Sequence, residues 1–520
     1  MTQSDLIQAA LRLLADLGVR EVCVAAGARN APVISALLES RNVRLWNFFE
    51  ERSAAFFAFG RVRATSRPVA VLTTSGTAAA ELLPAVIEAH YQALPLVAFT
   101  ADRPKAYRGT GAPQAIEQAG LFAPYTPNHW DIDHASNIPA AATAKLDAPL
   151  HLNLCLDEPL ATDVTGIDFA ITFPPLPPAD PPPPDLSAFL SAARPVVLAA
   201  GLTPAEAAEA APFLAALNAP IVAEATSNLW SSQPSSSLAH LLWPASESSL
   251  TRLNPTHVLR LGAVPTSRWW RDLEDRPDLP VINFSRALFP GLARRENVSL
   301  YPWSVLASLS LTPCLAPCPE PFTPAPLPDF PCAEPVLLHA LQSAFSPGSQ
   351  VFLGNSLPIR EFNDFPGLTT SGVTFHANRG ANGIDGLIST WLGLCADASS
   401  TDAWLVLGDL SALYDLAGPW ILSQLGARRR FLVVINNGGG KIFSRVPGLR
   451  ALADPARALI ENRHHLSFKP LADLWGMSHK VIETCKDVAA LEALGLSQGT
   501  HLLEIRPDPR QTEAFWAASP

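Results

Sequence analysis

The sequence predicts an α/β protein of three tandem, doubly wound domains, each built on a parallel sheet. Three observations lead there. The chain has 520 residues, more than one ordinary domain holds. Two proline-rich stretches, FPPLPPADPPPPD at 173–185 and TPCLAPCPEPFTPAPLPDFP at 312–331, exclude helix and central strand and read as extended linkers. In each part between them, short continuous apolar runs alternate with helical patterns, as parallel strands covered on both faces require. The predicted domains are therefore 1–172, 186–311 and 332–520.

The elements follow in order. MTQSDLIQAALRLLADLG at the N-terminus has apolar residues at helical spacing and is an amphipathic helix, not a signal peptide. In the first part, PVAVLTT is a strand, SGTAAAELLPAVIEAHYQA a helix and LPLVAFTADRP the next strand. In the second, RPVVLAAG is a strand, a helix runs from about Thr203, and APIVAEAT and HVLRLGA repeat the rhythm. In the third, AWLVLGDLSALYD and RFLVVINNGGG are strands that end in polar turns. Ligands of open parallel sheets bind beyond the carboxyl ends of such strands.

Composition narrows the class. With 48% apolar and 16% charged residues the chain can bury large cores. A net charge of −10 without a basic run argues against a nucleic-acid surface. No apolar run reaches the length of a membrane span, so no integral membrane contact is expected. The seven cysteines (23, 155, 314, 318, 332, 395 and 485) are odd in number and scattered. Cys314 and Cys318 have no second ligand pair to complete a zinc site. A reducing, cytoplasmic compartment is the expectation. Trp269 and Trp270 read as core residues, and the pair His464–His465 as a solvated loop.

Two places carry chemistry. Asp409 directly follows one buried strand, and Asn436 and Asn437 follow the next, 27 and 28 residues later. One strand–helix–strand unit fills that interval, so the two turns lie side by side at one sheet edge. A carboxylate, an amide oxygen and a carbonyl in the glycine turn 438–440 form a hard, oxygen-only cation site suited to Mg²⁺. The glycines allow a diphosphate to approach the backbone. The plainer reading is a helix cap at Asp409 and an ordinary Asn-Asn-Gly turn. The second place is NFFEERSAAFFAFG, 47–60, where Glu50, Glu51 and Arg52 stand in an apolar run. Such groups are rarely buried unless paired or used; the alternative is a surface-facing Glu-Glu-Arg on an amphipathic helix.

Gly408-Asp409 followed by Asn436-Asn437 resembles the diphosphate–metal motif of thiamine diphosphate enzymes, although most of these have Gly-Asp-Gly where this chain has GDL. The family's order of pyrimidine-binding, central and diphosphate-binding domains matches the three parts. The resemblance implies that Asp409, Asn437 and the Gly439 carbonyl ligate Mg²⁺ or Mn²⁺, with Asn436 the alternative to Asn437. It places Leu410 and Ser411 at the cofactor turn. It also implies that Glu51 is the catalytic carboxyl that reaches N1′ of the aminopyrimidine, with a pKa raised by apolar surroundings.

Further segments narrow the match: AAGARNAPV (25–33), TSGTAAAELLPAVIEA (74–89), TADRP (100–104), GAPQAIEQAGLF (111–122), GNSLPIREF (354–362), NRGANGIDGLIST (378–390) and NNGGGKIFS (436–444). Together they resemble the 2-succinyl-5-enolpyruvyl-6-hydroxy-3-cyclohexene-1-carboxylate (SEPHCHC) synthases of menaquinone biosynthesis, strongly in the first and third parts and weakly in the second. That family decarboxylates 2-oxoglutarate and adds the resulting succinyl carbanion to isochorismate. Two anionic substrates need fixed cations, and guanidinium forks suit carboxylates. The matching positions are Arg29, Arg103, Arg360 and Arg379, with Gln114 and Ser356 as further substrate contacts. Any one of these arginines is otherwise a surface ion pair. Ile384 matches the residue that wedges the cofactor into its bent form, and Ile442 and Phe443 match an apolar wall. The family's active sites lie between chains, which implies a homodimer or homotetramer.

The departures fall on the substrate side. The family's Ser-Arg-Ser is Ala28-Arg29-Asn30, an Asn is replaced by Pro113, a Ser by Asn382, and a central basic pair survives only as Arg268 before Trp269 and Trp270. Lost polar contacts weaken discrimination. The competing readings are another thiamine-dependent 2-oxoacid decarboxylase or carboligase, and a catalytically inactive cofactor-binding homologue. A nucleotide-binding protein is disfavoured because no Gly-x-Gly-x-x-Gly or Walker-type loop follows a strand.

Overall fold

The apolar runs expected to be strands are strands, buried along most of their length. The computed structural model describes residues 2–161, 163–170, 181–230, 237–309, 321–323, 326–367, 372–491, 495 and 497–518. Most of both proline-rich stretches, with Cys314 and Cys318, lies outside the described residues; the described parts of those stretches carry no helix or strand.

The first sheet contains β1 (Glu21–Ala25), β2 (Arg44–Phe48), β3 (Val69–Thr73), β4 (Leu96–Asp102), β5 (Asn128–Ile132) and β6 (Leu150–Cys155), in the order β2-β1-β3-β4-β6-β5. The second contains β7 (Pro195–Ala200), β8 (Ile221–Ala223), β9 (Leu242–Pro244), β10 (His257–Gly262), β11 (Val281–Ser285) and β12 (Val298–Pro302), in the order β12-β11-β10-β7-β8-β9. The third contains β13 (Gln350–Leu353), β14 (Thr374–His376), β15 (Ala403–Gly408), β16 (Arg429–Ile435), β17 (Ser478–Ile482) and β18 (Gly499–Ile505), in the order β14-β13-β15-β16-β18-β17. Every pairing is parallel. The first and third sheets share one topology, and their strand order reverses between β1 and β3 and between β13 and β15. The candidate residues sit beyond the carboxyl ends of these strands, where open sheets bind ligands.

The chain forms two compact units. One comprises Met1–Pro178, Gly380–Ala398 and Tyr414–Gly426, the other Ala179–Arg379, Ser399–Leu413 and Ala427–Pro520. In the first unit the helix Gln3–Asp16 starts at a capping box between Thr2 and Asp5, as the amphipathic pattern predicts. The helix Glu51–Thr65 is buried on all sides from Ser53 to Val62, because its Ala and Phe residues leave no polar face. It crosses the helix Leu387–Leu394 backbone to backbone. A Cβ on Gly60 would clash with the Thr390 carbonyl, and one on Gly393 with the Phe57 carbonyl. The single helix expected over SGTAAAELLPAVIEAHYQA is two, Thr77–Ala80 and Leu83–Tyr91. Pro84 lacks an N–H and is suited to the first turn of a new helix, not the interior of a long one.

In the second unit the helix Pro204–Leu217 starts at Thr203, which forms a capping box with Glu206. Trp270 is buried in the core beside the central sheet and Trp269 packs against that core; Arg268 is exposed and pairs with Asp272 at 3.5 Å. The cysteines among the described residues are all free thiols. No helix among those residues is long and apolar enough to cross a membrane.

Candidate active site

In the second unit β15 and β16 pair in register, Gly408 opposite Ile435, so the turns that follow them are neighbours. The Asp409 carboxylate joins the two turns. Its Oδ2 accepts from the backbone N–H of Gly438 and of Gly439, each at 2.9 Å, and its Oδ1 from Leu410 N–H at 2.7 Å. The glycines are required there. Gly438 and Gly439 have φ of +80° and +126°, and a Cβ on Gly439 would strike the Glu461 carbonyl. Burial pushes the Asp409 pKa up, against the three N–H groups and nearby His464. Asn437 donates from Nδ2 to Glu334 Oε2 at 2.9 Å, which leaves its buried Oδ1 without a hydrogen-bond partner. Asn436 is committed elsewhere, donating to Glu504 Oε1 and the Leu466 carbonyl at 2.7 and 2.8 Å. Of the two amides, Asn437 is the one whose Oδ1 is buried without a hydrogen-bond partner. A buried carboxylate and an orphaned amide oxygen on adjacent turns fit a hard divalent cation with oxygen ligands.

The lining follows from the same turns. Leu410 and Ser411 open the short helix Asp409–Tyr414, and Ser411 is buried. Ile442 and Phe443 lie partly buried in the 3₁₀ turn Lys441–Arg445, with the Phe443 ring against Gly440. His464 corrects the sequence expectation. Its side chain is largely buried and Nε2 stands 3.2 Å from Asp409 Oδ2, because the 461–464 segment folds back on the glycine turn through Gly440 N–H to the Glu461 carbonyl. His465 is exposed.

Three substrate candidates converge beyond β13. Ser356 has φ +80°, a conformation costly for a side-chain-bearing residue, and stands just before the helix Leu357–Asp364. The Arg360 guanidinium donates to the Ser356 carbonyl at 2.6 Å, and burial lowers its pKa. Arg379 donates to Asn355 Oδ1 at 2.9 Å, and Asn355 in turn donates to the Asn378 carbonyl.

The first unit holds the remaining candidates. Glu50 is the cap of its helix, accepting from Ser53 N–H at 2.7 Å, and Glu51 is the first helical residue, half-buried. Burial raises the Glu51 pKa, and Glu50 and Glu81 add to the shift. Arg52 donates to the Tyr414 carbonyl at 2.9 Å and faces the Tyr414 ring. This divides the Glu-Glu-Arg sequence into a cap, a half-buried carboxyl with a raised pKa, and an anchor. Arg29, beyond β1, is buried and held by the Leu156 carbonyl at 3.0 Å and Glu158 at 2.8 Å. Arg103 and Gln114 are brought together on one loop, with Arg103 Nε donating to the Pro113 carbonyl at 2.8 Å. Gln114 is exposed with φ +57°. Ile384 is half-buried in the loop before the helix Leu387–Leu394.

Several residues that shape these turns were not singled out by sequence reasoning. Gln118, fully buried, accepts from Gly76 N–H and donates to the Ala101 carbonyl and Asn153, so it anchors the loop that carries Arg103 and Gln114. Glu88, 3% exposed, accepts from the N–H groups of Gly380 and Ala381 at 2.8 and 2.7 Å and fixes the start of the Ile384 loop. Both lie inside segments that carried the resemblance. Glu334 has no such signal. It is a first-turn acidic residue after a proline-rich stretch, 2% exposed, with a pKa pushed up to about 7 by burial and drawn back by the Asn437 bond, Arg445 and Lys441.

Comparison with known proteins gives the family and the fold. Residues 5–121 match the family model described as the thiamine pyrophosphate enzyme, N-terminal TPP binding domain. A 2-succinyl-5-enolpyruvyl-6-hydroxy-3-cyclohexene-1-carboxylate synthase of Akkermansia muciniphila is 39% identical over 95% of each chain. One of Bdellovibrio bacteriovorus is 36% identical over 99% of this chain and 98% of its own. Among solved structures, a thiamine diphosphate-dependent 4-hydroxybenzoylformate decarboxylase of Rhodococcus jostii superposes with TM-score 0.73 at 17% identity, over 98% of this chain and 99% of that one. A putative thiamin diphosphate-dependent enzyme of Mycobacterium smegmatis gives 0.70 at 16%, over 97% and 99%. These structures share the fold; full-length sequence identity supplies the family. With its three parallel sheets, its oxygen-rich turn pair and relatives matched from end to end, the chain belongs to the 2-succinyl-5-enolpyruvyl-6-hydroxy-3-cyclohexene-1-carboxylate synthase family of thiamine diphosphate-dependent enzymes.

Proposed function

We propose that this chain is a thiamine diphosphate- and Mg²⁺-dependent transferase of menaquinone biosynthesis. It decarboxylates 2-oxoglutarate and adds the succinyl unit to isochorismate, giving SEPHCHC. The observation that carries the reading is the Asp409–Asn437 pair, with its orphaned Asn437 Oδ1, in a chain similar over its whole length to named synthases. When bound, thiamine diphosphate supplies the carbanion-stabilising chemistry. Asp409, Asn437 and the Gly439 carbonyl hold the Mg²⁺, for which Mn²⁺ substitutes. Leu410, Ser411, Ile384, Ile442 and Phe443 line the cofactor. Glu51 holds a proton at the aminopyrimidine, a task for which its raised pKa suits it. Arg29, Arg103, Arg360 and Arg379, with Gln114 and Ser356, hold the substrate carboxylates and hydroxyls.

The pyrimidine-binding, central and diphosphate-binding domains are 1–172, 186–311 and 332–520. Active sites form between chains of a homodimer or homotetramer, and the enzyme works in the cytoplasm. The test is an assay with thiamine diphosphate, Mg²⁺ and 2-oxoglutarate, with and without isochorismate, following CO₂ release and isochorismate loss. Coupled consumption that disappears in Glu51→Gln is expected. CO₂ release without isochorismate loss would assign another acceptor, and cofactor binding with neither signal would refute the synthase reading.

A further inference from the structure

A metal-binding amide has to be turned the right way. Asparagine presents an acceptor oxygen on one side and a donor NH₂ on the other, and only the oxygen ligates a hard cation. At position 437 the second side is taken. Asn437 Nδ2 donates to Glu334 Oε2 at 2.9 Å, and Oδ1 is buried with no partner. Glu334 is itself 2% exposed and opens the helix Glu334–Leu341, and its backbone N–H donates to Thr512 Oγ1 at 3.0 Å. Its backbone is thus fixed at the start of a helix that follows the proline-rich stretch, 103 residues from Asn437 in the chain. Flipping the amide would set Oδ1 against Glu334 Oε2, two acceptors within hydrogen-bond distance and shielded from water.

From this geometry we propose that Glu334 is a positioning residue for the metal site. It touches neither metal nor substrate; by accepting from Asn437 Nδ2 it holds Oδ1 in the ligating orientation. The inference rests on the metal site proposed above and adds to it the residue that orients one ligand. Partners of this kind that orient metal ligands typically account for 10–100-fold in metal affinity.

Two other polar places among the described residues are already filled or too small for a ligand. The cluster Asp102, Asp131 and Cys155 is saturated by Arg108, whose guanidinium reaches all three side chains. The cavity beyond β7 in the central sheet, bordered by Glu224 and Ser267, has room for about one water.

The test measures metal directly. Mn²⁺ is titrated into the full chain in the presence of thiamine diphosphate, and free Mn²⁺ is read by electron paramagnetic resonance, with no turnover involved. Wild type is expected to take one Mn²⁺ per chain. Glu334→Gln, which preserves the volume but can present either face, is expected to raise the Mn²⁺ Kd about 10–100-fold. The reciprocal pair Glu334→Gln with Asn437→Asp reverses the hydrogen bond: the new amide donates, and one carboxylate oxygen is again left for the metal. This pair is expected to recover most of the affinity, which a merely structural role for Glu334 would not produce. If wild type binds and Glu334→Gln binds within twofold of it, the inference falls and the metal site stands. If wild type takes no Mn²⁺, both fall. Should Glu334→Gln not fold, failure of the folded double variant to bind Mn²⁺ would also overturn the inference.

Discussion

Replacing Arg61 by Met should detach the helix that carries Glu51 from its surroundings. The Arg61 guanidinium is 2% exposed and in the middle of the first unit. Nε and Nη2 donate to Glu21 at 2.8 and 2.7 Å, and Nη1 donates to Asp397 at 2.8 Å and to the Gly393 carbonyl at 3.2 Å. Burial opposes the charge, yet the bonds to Glu21 and Asp397 leave the Arg61 pKa raised. The two carboxylates do not count equally. The Asp397 side chain is 57% exposed, so that pair is screened and contributes little. The Glu21 side chain is 11% exposed, and without Arg61 it would keep only the Trp46 indole N–H at 2.7 Å. Breaking a buried pair from one side costs about 3–5 kcal/mol, chiefly through the charge left unpaired. Arg61→Met should therefore lower local stability by that order. Glu21→Gln with Arg61→Met removes the stranded charge and keeps an acceptor for Trp46, so it should recover about 2 kcal/mol or more. Because a chain of two units need not unfold in one step, native-state hydrogen exchange of amides in the helix Glu51–Thr65 is the suitable measure. A loss below about 1 kcal/mol in the single variant, or a double variant as unstable as the single, would refute the reasoning.

Two further outcomes follow from buried polar groups in the same unit. Glu88→Gln keeps one acceptor where two backbone N–H groups need two, so the amides of Gly380 and Ala381 should exchange at least about 10-fold faster; unchanged protection would show that Glu88 does not hold the loop. His151, in β6, is buried with Nε2 2.9 Å from Thr100 Oγ1, and burial depresses its pKa to about 3. It is neutral when folded, whereas the unfolded chain binds a proton below about pH 6.5. Its contribution is complete above that pH and is lost as pH falls toward 3, by about 2 kcal/mol between pH 6.5 and 5. His151→Gln should flatten that part of the stability–pH curve measured by thermal unfolding, and equal slopes in both proteins would contradict the assignment.

What the sequence made legible was whatever a strand encodes by itself. PVAVLTT, HVLRLGA and RFLVVINN are predominantly apolar and match β3, β10 and β16, strands buried along most of their length. The pairing of Asp409 with the glycine turn was legible for the same reason, because two consecutive buried strands in a parallel sheet end side by side. Glu334, Glu88 and His464 were not legible. Each acts through a partner 26 to 292 residues away: Asn437 is 103 from Glu334, Gly380 is 292 from Glu88, and Gly438, which accepts from His464 N–H, is 26 residues before it. Nor did composition foretell that Gly380–Ala398 and Tyr414–Gly426 join the first unit. Gly60 and Gly393 permit that union, since either side chain would force the two helices apart, and both lie inside helices, not in turns.

The same geometry changes what the departures from the family pattern mean. Asn30 reads in sequence as a lost hydroxyl near substrate, but it is fully buried and faces its own turn, accepting from Gly27 N–H at 2.8 Å and donating to the Ala25 carbonyl at 2.9 Å. Asn382 has φ +64°, a left-handed conformation that asparagine tolerates better than most residues with a side chain. Both substitutions thus serve the backbone of loops that present Arg29 and Ile384. Pro113 differs in kind. It brings no N–H and no side-chain amide, yet its carbonyl is the acceptor that fixes Arg103 at 2.8 Å. Arg103 is the candidate cation whose orientation depends on a position where the family pattern is broken. If acceptor preference differs from that of the relatives, the difference should therefore map to the 103–114 loop, and a Pro113→Asn exchange should change the KM for one anionic substrate while leaving cofactor binding as it was.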